Sequence, residues 1–196
     1  MPSANIFPMK KDSTISKAKD RLKQILLEKS YLRGGQYELA SGEVSDVYFD
    51  VKKTSLDPEG STLAAIIMLD MLKSSGVKAV GGLATGACPI VSAVNVISYD
   101  KGTPINGFFV RDKKKTHGLK QNIEGCDLKK GDKIAILDDV ATKGGSMIDA
   151  IVPLEELGCE IVRTIVVVDR EQGAKEKLAE KGYKLESIFT RSDLEK

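Results

Sequence analysis

The segment Ile134-Ala-Ile-Leu-Asp-Asp-Val-Ala-Thr-Lys-Gly-Gly-Ser146 decides the reading of this chain. It begins as a continuous apolar run and ends that run on two adjacent carboxylates, Asp138 and Asp139. A Thr/Gly/Gly/Ser turn then opens a helical stretch over 145–157. Continuous Val- and Ile-rich runs suit strands buried on both faces, as in a parallel sheet. The same kind of run recurs at 77–83, 105–110 and 161–168, beside 133–137 itself. Helical patterns lie at 87–98, 145–157 and 174–181, and 183–189 reads as a last strand. Alternating β and α segments predict an α/β fold, a mostly parallel central sheet flanked by helices. Ligands of such sheets bind beyond the carboxyl ends of the strands, so the loops after the apolar runs are the places to look for chemistry.

Upstream, 16–30 reads as an amphipathic helix with Leu22, Ile25 and Leu26 on one face. Short strands are expected at 37–39 and 47–51, around the polar turn Ser41-Gly42-Glu43. Asp57-Pro58-Glu59 is a helix start: an N-cap, a proline at the first helical position and an acid in the first turn. That helix is expected to run through 63–72 and stop near Gly76.

The chain has 196 residues, 41% apolar and 30% charged, ordinary for one soluble domain and outside collagen-like, fibrous or disordered composition. The formal net charge is +2, far from that of a DNA-coating protein. The charge is uneven. Residues 111–120 hold Arg111, Lys113, Lys114, Lys115 and Lys120 against Asp112, a net +4, which leaves −2 for the remainder. No apolar run approaches the ~18–20 residues of a membrane span, and residues 1–15 have no apolar stretch of the signal-peptide kind. Three scattered cysteines, no CxxC and one histidine, His117, argue against structural zinc and for a reducing, cytoplasmic setting.

In the 134–146 segment, adjacent glycines let backbone N–H groups approach a ligand, and the helix start that follows suits a phosphate. Two carboxylates beside a phosphate are compatible if a sugar separates them, because carboxylates accept hydrogen bonds from two hydroxyls. The segment reads as a ribose-phosphate cradle, and it lacks the GxxxxGK[ST] pattern of a Walker loop. The alternative is an acidic strand end and a Gly-rich helix start of no special chemistry.

Leu137-Asp-Asp-Val-Ala-Thr-Lys-Gly-Gly-Ser146 closely resembles the signature of type I phosphoribosyltransferases, which bind 5-phosphoribosyl 1-diphosphate (PRPP). The resemblance implies PRPP contacts from Asp138, Asp139, Val140, Ala141, Thr142, Lys143, Gly144, Gly145 and Ser146. Phe108-Phe-Val-Arg-Asp-Lys-Lys-Lys-Thr-His-Gly118, continued by Asn122-Ile-Glu-Gly125, is similar to the mobile catalytic loop of orotate phosphoribosyltransferases. By residue chemistry alone, Arg111, Lys115 and His117 can neutralise a diphosphate, and histidine is the side-chain type whose ordinary pKa lies near neutral pH. A solvated charge run is the alternative. Val168-Asp-Arg-Glu-Gln-Gly173 ends another buried strand on an arginine. Arg170 can clamp a carboxylate bidentately, or pair with Asp169 or Glu171 at a helix start; in the family this arginine holds orotate.

Leu39-Ala-Ser-Gly-Glu-Val-Ser-Asp-Val-Tyr-Phe-Asp50 resembles the family's N-terminal hood, in which Tyr48 and Phe49 would flank the base, core packing being their other use. Gly81-Gly-Leu-Ala-Thr-Gly-Ala-Cys-Pro89 resembles the diphosphate loop, with Ala84 and Thr85 at its tip. The chain departs from some relatives, which carry cations where it has Ala40, Thr85 and Asp112.

The resemblance therefore implies the type I phosphoribosyltransferase fold over 1–196, with a small hood from 16–55 and the C-terminal end. It implies an orotate phosphoribosyltransferase of pyrimidine biosynthesis, with Lys115, His117 and Asp139 catalytic and Tyr48, Phe49, Thr142 and Arg170 at orotate. Mg²⁺ would be carried by PRPP and water with no direct protein ligand. A cytoplasmic homodimer with a shared site is implied, without nucleic-acid or membrane partners. Two rivals remain: transfer to another base, and a PRPP-sensing regulator that binds without reacting.

Overall fold

The structure is a computed structural model that describes residues 13–38, 44–111 and 122–196, the side chains of 13, 14, 33, 38 and 44–46 excepted. In chain order the elements are α1 (Ser13–Ile25), a π turn (Leu26–Ser30), β1 (Tyr31–Glu38), β2 (Val44–Phe49), α2 (Lys52–Ser55), α3 (Pro58–Met71), β3 (Ala79–Leu83) and α4 (Cys88–Asp100). They continue with β4 (Asn106–Val110), β5 (Ile123–Gly125), β6 (Lys133–Ala141), α5 (Gly145–Leu157), β7 (Glu160–Asp169), α6 (Ala174–Glu180), β8 (Leu185–Thr190) and α7 (Arg191–Glu195).

Six strands form one sheet in the order β5-β4-β3-β6-β7-β8, parallel except for β5, which runs antiparallel to β4. Its two faces bury alternate residues. Ala135, Leu137, Ile165 and Val167 join α1, α3 and α4 in one core; Ile134, Ile136 and Val166 join α5 and α6 in the other. Burial on both faces is the reason these strands read as unbroken apolar runs. Each fully buried Ile or Leu side chain contributes roughly 1.5–3 kcal/mol.

The strand order places the site. From β3 the chain moves outward through α4 to β4 and β5, then returns to pair β6 with the other side of β3. The loops after β3 and β6 therefore diverge from a common crevice at the carboxyl ends, where such sheets bind ligands.

A separate two-stranded antiparallel sheet, β1-β2, pairs Tyr31 with Phe49 and Leu32 with Tyr48. It is tied to the end of α1: Asp50 N donates to Ser30 O at 2.9 Å, and the buried Ser30 and Thr54 hydroxyls are 2.6 Å apart.

Several expectations are corrected. β1 begins at Tyr31, not at 37, because Gly34 and Gly35 sit at a register shift that conceals the strand pattern. The 47–51 expectation shifts to Val44–Phe49, and Val51 instead leads into the helical turn α2. β6 continues to Ala141, so the two acids lie within its last residues rather than beyond it. Ile123–Gly125 is a short edge strand, and α7 is an added helix whose capping box joins Thr190 and Asp193. Asp57 caps α3 as its sequence indicates, accepting from Gly60 N at 2.9 Å.

Candidate active site

β6 delivers Asp138 and Asp139 buried, at 5% and 3% exposure. Asp139 N donates to Asp138 Oδ1 at 2.9 Å. The Asp138 carboxyl is pushed up to about 7, chiefly by burial and then by the charge of Asp139; a hydrogen bond from Ser146 opposes this. Burial also raises Asp139, and the strongest opposing influence is Lys52, whose Nζ lies 3.5 Å from Asp139 Oδ2. That separation is an ion pair rather than a tight hydrogen bond: Asp139 Oδ2 has no hydrogen-bond partner among the described residues.

The turn after β6 opens α5 without a side-chain cap. Its first-turn N–H groups, near Gly145 and Ser146, are thus not engaged by an N-cap side chain. Gly144 holds φ +72°, and a Cβ there would meet Ala174 Cα and O at 3.3 Å, so the turn must pass close under α6. The loop after β3 packs directly on the acids. A Cβ on Gly86 would lie 3.0 Å from Asp138 Oδ1 and 3.5 Å from Asp139 Oδ1. Ala84 N donates to Val110 O at 2.8 Å, and the Ala84–Thr85 peptide is cis.

On the neighbouring strand end, Arg170 N donates to Ala141 O at 2.9 Å. The Arg170 side chain is buried, yet its Nε has no hydrogen-bond partner among the described residues. Its guanidinium lies 5.7 Å above the Phe49 ring. Burial, followed by the neighbouring charge of Arg191, lowers its proton affinity. Phe49 is buried and stacks on Tyr31 with ring centres 4.8 Å apart; the exposed Tyr48 stacks on Tyr37 at 5.6 Å.

The site residues read from the sequence thus fall into two adjoining groups at the carboxyl end of the sheet. Asp138, Asp139 and the 140–146 turn meet the Ala84–Thr85 loop through Gly86. Arg170 joins Phe49, with Tyr48 next to it in the strand. Arg111 is exposed and pairs with Glu124 at 2.8 Å, while its N donates to Asn122 O at 2.8 Å, joining the ends of β4 and β5. Asp112, Lys115 and His117, like Ala40, lie outside the described residues. Sequence reading missed Lys52, Gly86 and Glu124. Gly86 stands in a segment already singled out, and Glu124 in the I-E-G string. Lys52 carries no local signal, because its partner is 87 positions away.

Comparison with known proteins agrees with this architecture. The phosphoribosyl transferase domain family matches residues 60–189. The orotate phosphoribosyltransferase of Bradyrhizobium diazoefficiens is 41% identical over 181 residues, covering 91% of this chain and 96% of that protein. That of Rhodopseudomonas palustris is 43% identical over 183 residues, covering 91% and 96%. The crystal structure of Mycobacterium tuberculosis orotate phosphoribosyltransferase with Fe(III) dicitrate superimposes with a TM-score of 0.80 at 30% identity, covering 90% of this chain and 98% of that one. The same enzyme in complex with PRPP gives 0.75 at 27% identity, covering 91% and 99%. On the fold, the site geometry and these relationships, the chain belongs to the orotate phosphoribosyltransferase family, enzymes of the pentosyltransferase class.

Proposed function

We propose that the chain transfers the phosphoribosyl group of PRPP to N1 of orotate, giving orotidine 5′-phosphate and diphosphate. The observation that carries this reading is a pair of buried, unpartnered polar atoms of opposite character on adjoining strand ends. Among the described residues, Asp139 Oδ2 is an acceptor with no hydrogen-bond donor, only the Lys52 ammonium at 3.5 Å, and Arg170 Nε is a donor with no acceptor. Leaving such groups unmade costs about 1–3 kcal/mol each, more when charged, so a ligand that offers a hydroxyl and a carboxylate recovers that loss. PRPP and orotate offer one each.

In the reaction, the C1–oxygen bond to diphosphate breaks, its electron pair leaves on diphosphate, and C1 bonds to N1 of orotate. Positive charge develops on the sugar beside the acids. Asp138 and Asp139 hold the ribose hydroxyls, and the Asp139 charge favours a cationic sugar. The backbone from Val140 through Gly145, with the Thr142 and Ser146 hydroxyls, receives the 5′-phosphate at the start of α5, with Lys143 at its rim. Ala84 and Thr85 lie along the diphosphate. Arg170 holds the orotate carboxylate, and Tyr48, Phe49 and Thr142 hold the base. Arg111, Lys115 and His117 neutralise the departing diphosphate, and His117 supplies a proton to it. The Asp138–Asp139 pair gives the crevice a negative side, which fits a divalent cation entering on PRPP. Mg²⁺, held by PRPP oxygens and water, supplies neutralisation of the diphosphate when bound.

The reading takes 1–196 as one phosphoribosyltransferase domain, its hood drawn from 16–55 and the C-terminal end. The hydrogen bond from Tyr31 Oη to Glu195 at 3.2 Å and the buried Leu194 support that division. It also takes the protein as a cytoplasmic homodimer that shares its sites. Val96 and Tyr99 on one face of α4, 62% and 73% exposed, are the kind of apolar surface a second subunit covers. None of the described helices is long and apolar enough to cross a membrane.

The test is the loss of orotate absorbance on adding PRPP and Mg²⁺, run beside a panel of other bases. Arg170→Ala should lower kcat/KM for orotate more than about tenfold, as loss of a charged hydrogen-bonded clamp implies, while the PRPP value changes far less. Turnover of a purine and not orotate, or equal losses for both substrates, would show the reading to be wrong.

A further inference from the structure

Lys52 stands apart from every motif of the site, yet it touches the centre of it. It opens α2, three residues after Phe49 in the strand that carries the aromatic pair. From there its Nζ reaches to 3.5 Å from Asp139 Oδ2, the oxygen that lacks a hydrogen-bond partner among the described residues. The lysine side chain is 56% exposed and the aspartate side chain 4% exposed. Half-exposed ion pairs contribute little to folding, so stability is a weak reason for this reach.

Electrostatics supplies a stronger one. Two adjacent carboxylates held away from water repel each other, so the pair holds on to one proton, and a nearby cation decides which of the two acids stays charged. The titratable and charged groups that face this pair, among the described residues, are the two acids on β6, Lys52 on α2, and the Cys88 thiol at the start of α4, which interacts with Asp138 and is itself raised by burial. Lys52 is the cation of that set. A protonated Asp139 would offer ribose one acceptor fewer and give no charge to a cationic sugar. The loop at Ala84–Thr85, which packs on the same acids through Gly86, carries no cation of its own.

We propose that Lys52 is a positioning residue for phosphoribosyl transfer, the counter-ion that keeps the Asp139 carboxylate charged and aimed at the ribose before PRPP arrives. This rests on the reading of Asp139 as the ribose-holding acid. It also ties the two substrate sites together: movement of the β2–α2 segment around the base alters the charge environment of the sugar.

The test compares the unaltered protein with Lys52→Met and Lys52→Arg. The ¹³C carboxyl titration of Asp139, followed by NMR without substrates, should move upward by about one pH unit in Lys52→Met and stay in place in Lys52→Arg. In assays, kcat/KM for PRPP should fall several-fold in Lys52→Met on the acid limb of the pH profile, up to about tenfold where Asp139 is largely protonated, with the deficit shrinking as pH rises, and Lys52→Arg should recover it. A titration that does not move in Lys52→Met, or moves as far in Lys52→Arg, overturns the proposal. Asp139→Asn separates the two readings. Unchanged PRPP affinity in that variant removes Asp139 from the ribose site, whatever the NMR titration gives.

Discussion

At the scale of single residues, the adjacency of the buried Asp138 and Asp139 is a costly arrangement. The Asp138 carboxyl titrates about 7 in the folded protein against an ordinary 3.8. Between those values the folded state binds more protons than the unfolded chain, so stability falls as pH rises through that window and is unpenalised below it. Asp138→Asn keeps an acceptor for the Asp139 amide and removes the charge. Its melting temperature should exceed that of the unaltered protein at pH 8, by on the order of 1–3 kcal/mol of stability, and match it near pH 4. Calorimetry across that range decides the point, and a constant difference at every pH would refute it. A site that folding alone would not favour is the ordinary signature of function. Both acids were legible in the sequence because their spacing to the glycines is local. Their burial and their counter-ion were not, because Lys52 arrives from a helical turn 87 positions earlier.

At the scale of elements, the β6–α5 turn leads from a strand into a helix start that has no side-chain cap, the turn proposed to hold the 5′-phosphate. Gly144 occupies a left-handed conformation with the α6 backbone 3.3 Å from where a Cβ would stand. Gly144→Ala should cost about 1–2 kcal/mol from the backbone conformation alone. At about 2–4 °C per kcal/mol for a chain of this size, that lowers the melting temperature by several degrees. It should also raise KM for PRPP more than KM for orotate, because it displaces the turn proposed to hold the 5′-phosphate; a variant with unaltered melting and kinetics would contradict the geometry. The strand and helix bodies of the central sheet were readable because burial on both faces leaves a continuous apolar signal. β1 was half concealed, because Gly34 and Gly35 interrupt its alternation and its pairing with β2 overrides that weakness. The three-residue β5 lay inside a stretch read as loop, since so short a strand exists only by virtue of its partner β4.

At the scale of the whole molecule, the strand order β5-β4-β3-β6-β7-β8 opens the crevice, and the proposed homodimer completes it. If Lys115 acts in the partner's site while Asp139 acts in its own, inactive Lys115→Ala and Asp139→Asn chains complement each other. Equal mixing of a two-fold dimer should then restore about a quarter of the normal activity, because half the dimers are mixed and each holds one intact site. Native mass spectrometry verifies exchange of subunits. Exchange without recovered activity would mean that each chain builds its own site.

The sequence by itself determined the α/β class, the order of the main elements, the acidic strand end with its glycine turn, and the chemical character of each loop. All of these follow from local periodicity and local residue type. Only the tertiary structure decided that Gly86 packs on the acids, that Arg170 is buried over Phe49 with its Nε unpartnered among the described residues, and that Lys52 reaches Asp139. Those facts depend on strands and loops distant in the chain meeting at one edge of the sheet. Pairing across such distances leaves no local pattern to read.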